Sequence, residues 1–290
     1  MTQFRPQPYL ALARLDRPVG TLLLLWPTLA ALFIAAGGIP DIYLLVVFSL
    51  GTLFMRSAGC VINDFADRKV DGAVRRTEQR PLATGELSSR QALIFFALLC
   101  CLSAMLLLFL NRPTQLLAFA GLAVAIIYPF MKRWTQLPQV VLGAAFSWGI
   151  LMAWTATDTG LNNSAGVMFL GSLLWIVAYD TMYAMVDRED DLKVGIKSTA
   201  ILFGQQDRLM IGLLQLGTLF AFYLLGEREG YQHGYLLGLA VCAGLFVYQQ
   251  QLIRKREPQA CFAAFKNNVW VGFALLCGVL LELALGALLA

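Results

Sequence analysis

With 290 residues, 59% of them hydrophobic and only 14% charged, the chain cannot be a soluble globular protein and is a polytopic membrane protein by composition. The formal net charge of +4 is modest and no basic face separates from the loops, which excludes nucleic acid as a partner. Six cysteines without a CxxC pair and a single histidine, His233, exclude a disulfide framework and a zinc site.

The first residues, MTQFRPQPYLALARLDRP, lack the basic start, apolar core and cleavage site of a signal peptide, so the first apolar run is expected to remain as a span. Runs near the roughly 20 residues that a bilayer requires fall at about 19–37, 40–60, 91–110, 114–131, 138–156, 165–186, 209–226, 233–252 and 268–289. None alternates as a strand would, and each backbone must satisfy its own hydrogen bonds in lipid. The expected fold is therefore all-α, about nine transmembrane helices around a central cavity facing the cytoplasm, with residues 1–290 as one domain. Pro27 and Pro129 fall inside the first and fourth runs and predict kinks there. Glu282, inside the last run, has no evident partner beyond an interhelical hydrogen bond in its protonated form.

Twenty of the 22 Lys and Arg lie in the N-terminal tail and in the second, fourth, sixth and eighth connections; only Arg112 and Arg228 lie on the other side. The positive-inside rule places the N-terminus and the long connections at about 64–89 and 187–208 in the cytoplasm, and the C-terminus outside. Long connections are where functional loops belong.

The first of these carries RSAGCVINDFADRKVDGAVRRTEQRP, from Arg56 to Pro81. Asn63, Asp67 and Asp71 are spaced i, i+4, i+8 and would line one helical face, with Asp64 beside them and Arg56 two turns earlier. Arg75, Arg76 and Arg80 follow. The second carries YDTMYAMVDREDDLKVGIKST, where Asp187 and Asp191 are i, i+4 and Asp180 lies two turns before, with Glu189 and Asp190 alongside and Lys193 and Lys197 after. Oxygen-rich clusters of this kind suit a hard divalent ion such as Mg²⁺ shared with a phosphate. One Asp-rich stretch is commonly a solvated helix end; two at span ends, each trailed by bases and both on one side of the membrane, are not.

NDFADRKVDG (63–72) with DREDDLKVGIKST (187–199) resembles the paired Asp-rich motifs of the UbiA family of intramembrane aromatic prenyltransferases. RLDRPVGTLLLLWPT (14–28), RTEQRPL (76–82), YPFMKRWTQLPQ (128–139) and IKSTAILFG (196–204) extend the likeness over nearly the whole chain, toward the bacterial branch that prenylates 4-hydroxybenzoate in ubiquinone synthesis. The resemblance implies a bacterial inner-membrane enzyme that uses Mg²⁺, a polyprenyl diphosphate and an aromatic carboxylate, surrounded by membrane lipid and with no protein partner indicated. Asn63, Asp64, Asp67, Asp71, Asp187 and Asp191 are then the candidate metal-binding residues, with Asp64 and Asp180 also as orienters of the others. Arg76, Arg80, Lys132, Lys193 and Lys197 would neutralise the leaving diphosphate. Tyr128 or Tyr183 would face the prenyl cation, Asp180 is a candidate proton acceptor, and Arg56, then Arg14, is the candidate clamp for the acceptor's carboxylate. Homogentisate, a dihydroxynaphthoate or a tetrapyrrole remains open as acceptor. A secondary transporter is the rival class, disfavoured because the acids gather at one side rather than at midplane.

Overall fold

In the computed structural model, which describes residues 6–73, 76–157 and 159–289, every regular element is helical. A short helix α1 (Gln7–Leu12) precedes α2 (Val19–Ala36), α3 (Ile42–Asp67), α4 (Ser89–Leu107), α5 (Arg112–Met131) and α6 (Pro138–Ala156). Then come α7 (Asn163–Val194), the short α8 (Thr199–Phe203), α9 (Asp207–Glu229), α10 (His233–Leu252) and α11 (Pro258–Leu289). Among the described residues nine helices are long and apolar enough to cross a membrane, in the places the hydropathy predicts. Arg5, Arg75 and Asp158 lie outside the described residues.

Three helices run well beyond their apolar stretches: α3 to Asp67, α7 to Val194 and α11 back to Pro258. Hydropathy marks only the part that lipid can cover, whereas a helix continues while its backbone stays bonded. The extensions of α3 and α7 carry Asn63, Asp64 and Asp67 of the first acid motif and Asp187 and Asp191 of the second, so these residues stand on helix rather than on loop.

Local signals explain most ends. Ser88 caps α4 and Gln91 answers it in a capping box, while Asn111 and Asn162 cap α5 and α7. Helix α7 stops at Gly195, which takes the left-handed conformation at φ 72° immediately after the second acid motif. Pro27 and Pro129 both sit inside continuous helices. The helices α2, α6, α7, α10 and α11 contribute most of a core around Trp154, Trp175, Tyr179, Phe222 and Tyr235. Helices α4 and α5 stay peripheral, with few buried residues between them. The α10–α11 pair packs backbone to backbone: a Cβ on Gly238 would lie 2.8 Å from the Gly278 Cα.

Glu282 has a partner after all. It accepts from the backbone N–H of Gln232 (2.8 Å), Gly234 (2.7 Å) and Tyr235 (3.1 Å), and so caps the N-terminus of α10 from the neighbouring helix. That role suits a carboxylate that keeps its charge, in place of the protonated form the sequence suggests. His233 is exposed at the start of the same helix, and all six cysteines are free.

Candidate active site

Two cavities adjoin at one end of the bundle. The larger, about 1050 Å³, runs between α2, α3, α4, α5 and α6 and is mostly apolar, with Gly51, Leu107, Ala118, Leu122 and Met152 along its far part. The smaller, about 140 Å³, is polar and lined by Asn63, Asp67, Asp71, Asp187 and Asp191. Asn63, Arg76, Arg80, Tyr128, Asp180 and Tyr183 line both, and so mark where the two meet.

The acid motifs come together as their spacing predicts, with one correction. Helix α3 ends at Asp67, and the chain turns over Val70, whose N–H bonds the Asp67 carbonyl at 2.7 Å, into a 3₁₀ turn at Asp71–Ala73. Asp71 is therefore not the third residue of a helical stripe. It reaches the polar cavity through a turn held by Arg80, which bonds its carboxylate at 3.0 Å and that of Asp64 at 2.9 Å. Thr77 also donates to the Asp71 carbonyl at 2.8 Å. Burial pushes the Asp71 carboxyl above the usual range, and Arg80 offsets only part of that.

Asp187, Asp67 and Asp64 are each matched to a base from a distant part of the chain. Arg76 grips Asp187 with contacts of 2.5–3.0 Å and lies 4.5 Å from the Tyr183 ring centre, a cation–π contact. Lys132, at the end of α5, pairs with Asp67. Arg14, left-handed at φ 57° after α1, pairs with Asp64 at 2.9 Å and lines the large cavity. Lys197 lines the polar cavity and donates to the Trp134 carbonyl. Lys193 departs from expectation: it pairs with Asp190 at 3.0 Å, is 65% exposed and lines neither cavity. Three residues past Asp190 on a helix, it simply completes an i, i+3 pair on the outer face.

Arg56 lines the large cavity together with Asp180 and, among the described residues, makes no ion pair of hydrogen-bond length with a carboxylate. Its Nη1 donates to Cys60 Sγ at 2.8 Å, its guanidinium lies 5.4 Å from the Phe146 ring centre, and its Nε is buried without a partner in the protein. Asp67 Oδ1 and the Tyr179 hydroxyl are likewise buried and unmatched.

Gln139 belongs to the site and was missed from sequence. It lines the polar cavity, accepts from the Thr199 N–H at 3.0 Å and reaches Asp180, tying α6, α7 and α8 together. Its sequence signals are its place after Pro138 at a helix start and at the end of the YPFMKRWTQLPQ stretch. Asp207, fully buried, was also missed. It accepts from Arg256 and Arg188, and so fastens the acid-bearing end of α7 to α9 and to the α10–α11 turn.

Among the described residues no three acids converge on one point as a ready-made metal cage. The donor set nevertheless fits a hard divalent cation. Carboxylate and amide oxygens from two helices face one small polar space, and the buried, unmatched Asp67 Oδ1 borders it. Five carboxylates (Asp67, Asp71, Asp180, Asp187 and Asp191) line this space against four bases (Arg76, Arg80, Lys132 and Lys197), an excess of acid that a cation would offset.

Residues 24–280 match the UbiA prenyltransferase family. The chain belongs to that family. It is 56% identical over 282 residues, 97% of its own length and 99% of the relative's, to a 4-hydroxybenzoate octaprenyltransferase of Vibrio cholerae serotype O1. A protein of the same name from Tolumonas auensis is 57% identical over 275 residues, 95% of this chain and 96% of the relative. Among solved structures, the apo UbiA homolog of Aeropyrum pernix K1 overlays with a TM-score of 0.79 at 20% identity, covering 89% of this chain and 96% of that one. The UbiA homolog of Archaeoglobus fulgidus bound to GPP and Mg²⁺ gives 0.66 at 20% identity, over 93% and 99%. This UbiA-family chain is thus an integral membrane prenyltransferase, and the transporter reading falls away.

Proposed function

We propose that this UbiA-family chain transfers a polyprenyl group from its diphosphate to the ring carbon ortho to the hydroxyl of 4-hydroxybenzoate, a step of ubiquinone synthesis. The observation that carries the reading is the pairing of one polar cavity walled by both acid motifs with a long apolar cavity that meets it at Asp180 and Tyr183. Diphosphate and prenyl chain need those two environments side by side. The name shared by relatives at 56–57% identity supports the acceptor, and octaprenyl as the donor chain.

Asn63, Asp67 and Asp71 on one side and Asp187 and Asp191 on the other would hold Mg²⁺; Asp64, held by Arg14 and Arg80, would orient that set. Bound there, Mg²⁺ would neutralise charge that develops on the diphosphate as it leaves. Arg76, Arg80, Lys132 and Lys197 add positive charge around the same group. As the allylic C–O bond breaks, its electron pair goes to the diphosphate, and the prenyl carbon becomes cationic beside the rings of Tyr128 and Tyr183. The phenol's ortho carbon supplies the pair for the new C–C bond and then loses its proton, which Asp180 at the junction is placed to accept. Arg56, in the large cavity, holds the acceptor's carboxylate.

The purified chain in detergent should convert radiolabelled polyprenyl diphosphate and 4-hydroxybenzoate to product with no ion gradient, and chelation of divalent ions should stop it. Faster turnover of homogentisate or a dihydroxynaphthoate would move the assignment to a sister activity. The proposed setting is the bacterial inner membrane with both acid motifs on the cytoplasmic face. Single cysteines placed at Glu78 and at Lys193 should then react only with reagent on the cytoplasmic side, and one at Glu229 only from outside. The reverse pattern would invert the orientation.

A further inference from the structure

The large cavity has an opening at the acid-motif end of the bundle. There the turn between α1 and α2, the loop at 76–81 and the start of α11 bring Asp16, Arg17, Gln79, Gln259 and Lys266 to its wall, all of them exposed. Helix α11 has 32 residues, about 48 Å at ~1.5 Å per residue, against a hydrocarbon core of roughly 30 Å. Its first turns therefore rise above the lipid tails, and this opening faces water.

A row of rings leads inward from it. Lys266 Nζ lies 4.9 Å from the ring centre of Phe262. Phe262 stands 6.1 Å from Phe265 at an interplanar angle of 20°, and Phe265 stands 4.6 Å from Tyr183 at 34°. Arg76 lies over Tyr183 in turn, where the two cavities meet. All three rings line the large cavity within 35° of one another, with a cation at each end of the row. The two cations differ. Arg76 is paired with Asp187, whereas Lys266, among the described residues, has no carboxylate within ion-pair distance. Arg17, also at the opening, is offset by Asp16 at 3.4 Å. Six bases line the large cavity against three acids, the reverse of the balance in the polar one, so its wall attracts an anion.

We propose that the aromatic acceptor enters from water through this opening, its carboxylate drawn by Lys266 and its ring passed along Phe262, Phe265 and Tyr183 to the junction. The inference rests on the aromatic-carboxylate reading above. Near-parallel rings beside an unpaired cation are the complement of a small aromatic anion. The prenyl diphosphate fits the opening less well, since its long apolar chain would have to cross a rim of charged and amide side chains. Lys266 is a steering residue: it raises the rate of encounter and takes no part in the transfer.

The experiment compares Lys266→Glu, Lys266→Gln and Phe262→Leu with the parent full-length chain in uncharged detergent. Association of 4-hydroxybenzoate is followed by stopped-flow tryptophan fluorescence, alongside kcat/KM. At low ionic strength Lys266→Glu should slow association about three- to ten-fold and Lys266→Gln less, and salt should erase both differences. Association of a neutral phenol, KM for the prenyl diphosphate and kcat at saturating acceptor should hold in both. Phe262→Leu should slow 4-hydroxybenzoate and the neutral phenol alike and leave the salt dependence intact. Lys266 is exposed, so its variants should melt with the parent and report the route rather than the fold. Unchanged association in Lys266→Glu, a loss that salt does not erase, a change confined to the prenyl diphosphate, or an unaffected Phe262→Leu overturns the route. A parent that binds 4-hydroxybenzoate with this salt dependence yet fails to prenylate it overturns the reaction assignment instead.

Discussion

Asp67→Ala and Asp191→Ala should each abolish measurable prenyl transfer at saturating Mg²⁺, a loss of roughly 10²–10³-fold or more, as for removal of a preorganised electrostatic group. The two residues lie on different helices, 124 positions apart in sequence, yet wall the same polar cavity of about 140 Å³. Because both would act on one diphosphate through the same ions, the double variant should be hardly slower than either single one. Asp67→Asn is the companion measurement, since Asp67→Ala leaves Lys132 without its partner in a confined site. Initial rates of labelled product formation decide it. Near-normal turnover in either single Ala variant would end the shared-site reading, and additive losses would point to two independent sites.

The second large effect concerns Arg56 and separates the acceptor from the donor. Arg56 stands seven residues before Asn63 on α3, so by the ~1.5 Å rise per residue its guanidinium is anchored roughly 10 Å from the diphosphate end, about the span of an aromatic acceptor. Arg56→Lys keeps the charge but loses the two-pronged fit, and should weaken apparent affinity for the benzoate while leaving the donor's unchanged. Arg56→Ala should cost about 2–4 kcal/mol in kcat/KM for 4-hydroxybenzoate, as when one charged partner is lost from a desolvated site. A neutral phenol should be a poor substrate of the parent and should suffer far less from the change. Equal impairment with both acceptors would make Arg56 structural and place the carboxylate elsewhere.

What sequence could show here depended on the range of the interaction. The nine spans were legible because a membrane helix writes itself in apolar residues, and the i, i+4 pairs at Asn63–Asp67 and Asp187–Asp191 because they stand on helix. The helical stripe fails only at Asp71, because a periodicity argument cannot see a helix end: α3 stops four residues earlier, where no glycine or proline announces it. Lys193 was drawn toward the site by the parallel with Arg76 and Arg80, but a lysine three residues from an aspartate on the same helix has a nearer partner. Arg76–Asp187, Gln139–Thr199 and Arg256–Asp207 join residues 49 to 111 positions apart. No local pattern records such pairings, and so the ion-pair scaffold of the site became visible only in three dimensions.

The carboxylate of Glu282 bears on how the chain enters the bilayer. A charge at the middle of a span costs about 2.5–3.5 kcal/mol on insertion, less toward its end, and α11 alone offers Glu282 nothing to offset this. Its three amide partners belong to the start of α10, whose first-turn N–H groups lack another acceptor without the carboxylate. Each helix therefore carries the other's missing polar partner. The unit that partitions favourably into the membrane is the α10–α11 hairpin, already zipped at Gly238 and Gly278, rather than either helix singly.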